Sequence, residues 1–222
     1  MQDSINKNPM ISFNPDSEES LGLKKSRFTE RLLEENALGK EGFECWIFCQ
    51  GMLFCSLDKW WGDQGRRDHP HEGIDLCLYG NRSRNTRRLD KGTRIPVMHD
   101  GVVRVVSKDF LGETIVIEHE MNGIGRFVSM YAHTEPRPHM KAGVRVKEGD
   151  IIGTLGDTGR AKSGILPHLH VSVGIPSHAF SYDRFDWNTM TNPGKIVLLD
   201  PLPLMDRPHQ ILAADRPLFP EF

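Results

Sequence analysis

Four residues, divided between two short segments, constrain this 222-residue chain more than any other feature. His71 and Asp75 lie in His71-Glu72-Gly73-Ile74-Asp75, while His168 and His170 lie in His168-Leu169-His170-Val171-Ser172. Both segments read as strands, because residues 74–79 and 169–173 are apolar or β-branched runs broken by Gly and Pro. Side chains two or four positions apart on a strand share a face. That spacing predicts His71 beside Asp75, and His168 beside His170. Two imidazoles and a carboxylate form an ordinary three-ligand set for catalytic Zn²⁺, with a fourth position left to water. A third histidine, in Tyr131-Ala132-His133, belongs to a separate apolar strand expected to reach the same cleft.

The rest of the pattern predicts where such strands come from. From about Glu44 onward, short apolar runs alternate with Gly, Pro, Asn and Asp. Residues 102–106, 114–119 and 126–131 are strand candidates, with turn signals near Gly112 and Asn122-Gly123. Lys147-Glu148-Gly149-Asp150 reads as a tight turn before Ile151-Ile152-Gly153. The expectation is a mainly β protein with a compact antiparallel β-sheet core, an N-terminal helical extension and long loops. Ser26 reads as the N-cap of one amphipathic helix with Phe28, Leu32, Leu33 and Ala37 on its apolar face and Gly39 as its stop. The expected division is an extension over 1–43, a principal domain over 44–205, and a Pro-rich tail over 206–222. Residues 176–194 carry Phe180, Tyr182, Phe185 and Trp187, which suit either a cleft wall or the cover of an apolar patch.

The order of the motifs adds a resemblance. H-x-G-x-D, Asp100-Gly101-Val102-Val103, Tyr-Ala-His, a Gly-rich hairpin over 149–159 and His-Leu-His follow one another as in the lysostaphin-like zinc endopeptidases. The similarity runs from about Trp60 to Val173 and resumes at residues 196–201. It implies one Zn²⁺ per chain, held by His71, Asp75 and His170, with His168 as candidate general base. It implies that His133 hydrogen-bonds the reacting water or the oxyanion; which of His133 and His168 is the base stays open. It further implies a narrow groove and, as substrate, the peptide stems or cross-bridges of bacterial cell-wall peptidoglycan. Three departures bear on the groove and not on the ligands: a longer loop over 160–167, Val171-Ser172 after His170, and Thr134 after His133. Glu72 mimics part of the H-E-x-x-H zinc motif, but no histidine stands at position 75. The competing reading is a non-hydrolytic homologue, either an activator or a phosphocarrier-like module. Asp75 argues against the phosphocarrier, which has no use for a carboxylate there.

Charge and hydropathy remove other classes. With 28 basic and 30 acidic residues and a net charge of -2, nothing suggests a nucleic-acid partner. No apolar run approaches the length of a transmembrane helix. Residues 1–9 lack the hydrophobic core of a signal peptide, whereas the resemblance implies a cell-envelope or secreted protein. Cys45, Cys49, Cys55 and Cys77 read as small buried hydrophobes, an even count that also permits one or two disulfides. Cys77 shares strand parity with Asp75. Among the remaining histidines, His69, His99, His119, His139, His178 and His209 read as surface or structural, with His69 on the parity of His71.

Overall fold

β-Branched and aromatic residues dominate the runs between the turns, and a computed structural model pairs those runs into sheets. It describes residues 25–109, 111–123, 125–157, 165–183 and 185–213. Helix α1 (Phe28–Glu35) is followed by β1 (Phe43–Phe48), β2 (Ile74–Leu76), β3 (Leu78–Asn81), β4 (Thr86–Arg88) and β5 (Arg94–Pro96). Then come β6 (Gly101–Lys108), β7 (Glu113–Met121), β8 (Gly125–Pro136), β9 (Arg145–Val146), β10 (Ile151–Leu155) and β11 (Leu169–Pro176). A short helix α2 (Trp187–Met190), β12 (Ile196–Leu199) and β13 (His209–Ile211) complete the order.

Among the described residues the larger sheet runs β12-β11-β8-β7-β6-β9, with β2 added beside β11 and β10 joining β8 to β5. These pairings are antiparallel, as the sequence predicts. A smaller sheet runs β13-β1-β3-β4, and only its β1–β13 pair is parallel. Strands β7 and β8 are buried on both faces, which is why they read as near-continuous apolar runs. Ile115, Ile117 and Tyr131 join the main core with Phe28 and Leu32 of α1. Val116, Val128 and Met130 point the other way and meet Met190 and Ile196.

Two details differ from expectation. Ser26 Oγ does accept the Phe28 N–H at 3.0 Å, but Arg27 holds the cap position and no side chain of its own caps the helix there. The carboxylate of Asp206 instead accepts from Thr29 N at 3.1 Å and Glu30 N at 3.2 Å. The cysteines are also less uniform than predicted. Cys77 is buried, Cys45 and Cys49 are half-buried, and Cys55 is exposed; Cys45, Cys49 and Cys77 are not bridged. Cys77 Sγ donates to the Pro167 carbonyl at 3.4 Å, and burial raises its pKa.

The chain's two ends pass across the lines drawn at 43/44 and 205/206. β13 pairs with β1 through Trp46 opposite His209 and Phe48 opposite Ile211, and Arg207 Nη2 donates to Glu30 Oε1 at 2.6 Å. The polar leader over 1–24, residues 158–164 of the long connection before His168, and the final Pro-rich stretch over 214–222 lie outside the described residues. No helix of the described residues is long and apolar enough to cross a membrane.

Candidate active site

Three neighbouring strands gather the motifs. β2 pairs with β11 so that Asp75 faces His170, and β11 pairs with β8 so that His170 also lies beside Ala132. The glycine of H-x-G-x-D is required by this arrangement. A Cβ at Gly73 would lie 2.1 Å from the Val171 carbonyl oxygen, so any side chain would force β2 off β11. His71 itself is not on a strand, contrary to the spacing argument, because β2 begins only at Ile74. Its N–H donates to the Ser56 carbonyl at 2.9 Å, and its ring Nδ1 meets the Leu53 carbonyl at 3.0 Å. His168 likewise stands just before β11. Loop anchors therefore aim these two rings.

The result is a tight convergence of acceptors. His71 Nε2, Asp75 Oδ1 and His170 Nδ1 lie 3.2, 3.0 and 2.9 Å apart, all buried. The Leu53 carbonyl can only accept, so His71 carries its proton on Nδ1 and turns a lone pair inward from Nε2. His170 Nε2 meets Ser172 Oγ at 2.9 Å; with its proton there, Nδ1 turns a lone pair inward as well. Trp60 Nε1–H donates to Asp75 Oδ2 at 2.6 Å and so turns Oδ1 toward the rings. Burial alone would raise the Asp75 pKa, but the neighbouring His71, His168 and His170 rings hold it well below the usual carboxylate range. Three inward lone pairs from nitrogen and oxygen repel one another unless a cation sits among them. The donor set fits a divalent metal ion, with each ligand's orientation fixed by a second partner.

Two further imidazoles flank this set. The ring of His168 lies 4.8 Å from that of His133 between centroids, and His133 lies 6.0 Å from His170. His168 Nδ1 donates to the Leu166 carbonyl at 2.8 Å, leaving Nε2 as an acceptor 3.8 Å from Asp75 Oδ1. Burial lowers the His168 pKa to about 4, against the opposing charge of Asp75, so the ring is neutral at pH 7. His133 sits on a bulge in β8, where the register against β7 shifts between Glu113 and Ile115. Its φ of 65° is in the left-handed region, a strained backbone for a residue with a Cβ. Asp109 holds it there, accepting from His133 N at 2.9 Å and meeting Nδ1 at 3.2 Å. Burial would raise the Asp109 pKa, yet the His133 ring and the backbone N–H groups of His133 and Leu111 keep it far below the ordinary range.

The five predicted site residues thus surround one cleft of about 310 Å³, together with Trp61, Arg67, Ile165 and Trp187. His69 and Glu72 line its wall, and neither belongs to the converging donor set. Trp60, Arg67, Asp109 and Ser172 act on the site without having been singled out from sequence. Asp109 stands just before the turn signalled near Gly112, and Trp60 and Arg67 lie in an irregular segment without periodicity. The aromatic connection serves both expected purposes. Trp187 packs edge-on to His170 at 5.6 Å and lines the cleft, while Phe180, Tyr182 and Phe185 cover the second apolar cluster.

The chain is similar to several known proteins. The family model described as Peptidase family M23 matches residues 69–181. Peptidoglycan DD-endopeptidase ShyC of Vibrio cholerae serotype O1 is 41% identical over 80 residues, covering 36% of this chain and 17% of that protein. The chain therefore spans much less than the length of this curated relative. The catalytic domain of lysostaphin from Staphylococcus simulans is 22% identical, with a TM-score of 0.39 over 64% of this chain and 86% of that one. A zinc containing peptidase from Vibrio cholerae is 28% identical, with a TM-score of 0.35 over 50% of this chain and 28% of that one.

Proposed function

The chain belongs to peptidase family M23, and from that premise we propose that it is a zinc-dependent endopeptidase that hydrolyses peptide bonds in the stems or cross-bridges of bacterial peptidoglycan. The observation that carries the reading is the meeting of His71 Nε2, Asp75 Oδ1 and His170 Nδ1 with two more imidazoles beside them. His71, Asp75 and His170 would hold one Zn²⁺ per chain. When bound, the ion supplies Lewis acidity that polarises the scissile carbonyl and acidifies water. The relative's being a peptidoglycan DD-endopeptidase supports the substrate class, and with it a place of action at the cell envelope.

The chain's own residues divide the proton work. His168 Nε2, the ring's open acceptor, takes a proton from the water that attacks the carbonyl carbon and delivers it to the departing amine nitrogen. The Asp109 carboxylate requires the proton of His133 to sit on Nδ1. A charged His133 then donates from Nε2 to the developing oxyanion, while a neutral one accepts there from water. Trp187, Trp61 and Ile165 narrow the cleft and limit water around the reacting bond.

Metal analysis of the purified protein beside digestion of isolated cell walls tests the reading. One zinc per chain and release of wall peptides are expected, with both lost together on chelation. Rapid cleavage of casein with walls untouched would make it a general peptidase and overturn the wall substrate.

A further inference from the structure

Arg67 is the largest feature of the cleft to which the reaction above gives no task. Its Nε donates to the Asp58 carbonyl at 3.2 Å and its Nη2 to the Gly51 carbonyl at 2.8 Å. Its guanidinium carbon lies 4.3 Å above the centre of the Trp61 ring. Its backbone N–H is tied to the Leu57 carbonyl at 2.7 Å, next to the Asp58–Arg66 bridge. Loop carbonyls and an aromatic face thus hold the planar fork in one pose, with the side chain 15% exposed on the cleft wall.

The guanidinium also faces Asp75 as an ion pair, and that contact leaves part of the fork unused. Nη2 is 3.7 Å from Asp75 Oδ2, beyond hydrogen-bond reach, and that oxygen already accepts the Trp60 N–H at 2.6 Å. Asp75 Oδ1 is turned to the histidines. Asp68 and Glu72 share the cleft wall, yet neither is hydrogen-bonded to Arg67. Among the described residues Nη1 has no hydrogen-bond partner. A fixed guanidinium with donors to spare, a few ångströms from the ligand set, is built to receive a carboxylate in two-point fashion.

We propose that Arg67 anchors a free carboxylate that flanks the scissile bond of the substrate peptide, so that the enzyme selects acidic peptides over their amidated counterparts. The proposal rests on the peptidase reading of the site. Trp61 sets the plane of the fork, and the Gly51 and Asp58 carbonyls prevent it from turning away.

The test uses peptide pairs that differ only in whether the carboxylate flanking the scissile bond, on either side, is free or a carboxamide. Cleavage and calorimetric binding are both measured with wild-type, Arg67→Gln and Arg67→Lys proteins, alongside zinc content. Wild type should favour the free acid by about tenfold or more, mainly through KM, as expected for a charged hydrogen-bonded pair. Arg67→Gln should keep its zinc and treat the two peptides alike, and Arg67→Lys should recover part of the preference. Equal binding of acid and amide by wild type overturns the proposal, whether or not either is cleaved. Loss of zinc, or an equal loss on both peptides in Arg67→Gln, also overturns it and makes Arg67 a support for Asp75. Discrimination in binding without cleavage of either peptide would leave Arg67 in place and sink the peptidase reading instead.

Discussion

At the scale of the residue, the proposed ligands and the imidazoles beside them separate by what each removal should cost. Asp75 supplies the only carboxylate in the converging set, so Asp75→Ala should leave two imidazoles and release the metal on dialysis. His168→Ala should retain the metal and lose about 10²–10⁴-fold in rate, the usual range for a positioned acid–base group. Zinc content measured beside turnover checks both. Loss of metal in His168→Ala with retention in His170→Ala would reverse the two histidines. A second prediction concerns His119, which lies away from the cleft. Burial lowers its pKa from 6.5 to about 4, and it is held neutral between the Asp100 carbonyl at 2.9 Å and Ser129 Oγ at 2.7 Å. Between those pH values the unfolded chain binds the proton that the folded one refuses. The stabilisation is therefore complete above pH 6.5 and is lost as pH falls toward 4, by up to about 3 kcal/mol. Unfolding free energies across that window should show a shallower slope in His119→Gln than in wild type.

At the scale of the element, the site depends on a close approach and a bulge. Gly73→Ala should cost on the order of 2–4 kcal/mol, because the Val171 carbonyl it would strike is backbone in a paired strand and cannot swing aside. Gly39→Ala meets nothing within 4 Å and should be nearly neutral, which makes it the matched control in a thermal melt. These elements also show what the sequence reveals. β7 and β8 were legible because strands buried on both faces leave long apolar runs between turn residues, and β6 because its run is rich in valine. Strand periodicity applies to Asp75 and His170, which lie on paired strands, and not to His71 and His168, which stand just before them. His71 came to the same place by a different route, through the Leu53 and Ser56 carbonyls, which no local period encodes. Asp109 serves the turn signalled near Gly112 and the site together: it accepts from Leu111 and Gly112 as well as from His133, 24 residues on. Contacts of that span leave no trace in residue spacing.

At the scale of the whole molecule, the first and last described elements are fastened to each other as well as to the core. Asp206 caps α1 from 177 residues away, and β13 lies along β1. Asp206→Ala should destabilise the protein by about 1–2 kcal/mol, the cost of a lost helix cap, and lower the melting temperature by several degrees. The cleft's metal content should be unchanged, since the cap lies on a separate part of the core. This fastening also sets an order in time. During synthesis, Thr29 emerges 177 residues ahead of the carboxylate that will cap its helix. At about 5–20 residues per second, the delay is on the order of ten seconds or more. Throughout it Trp46 and Phe48 stand on a strand whose parallel neighbour has not yet been made.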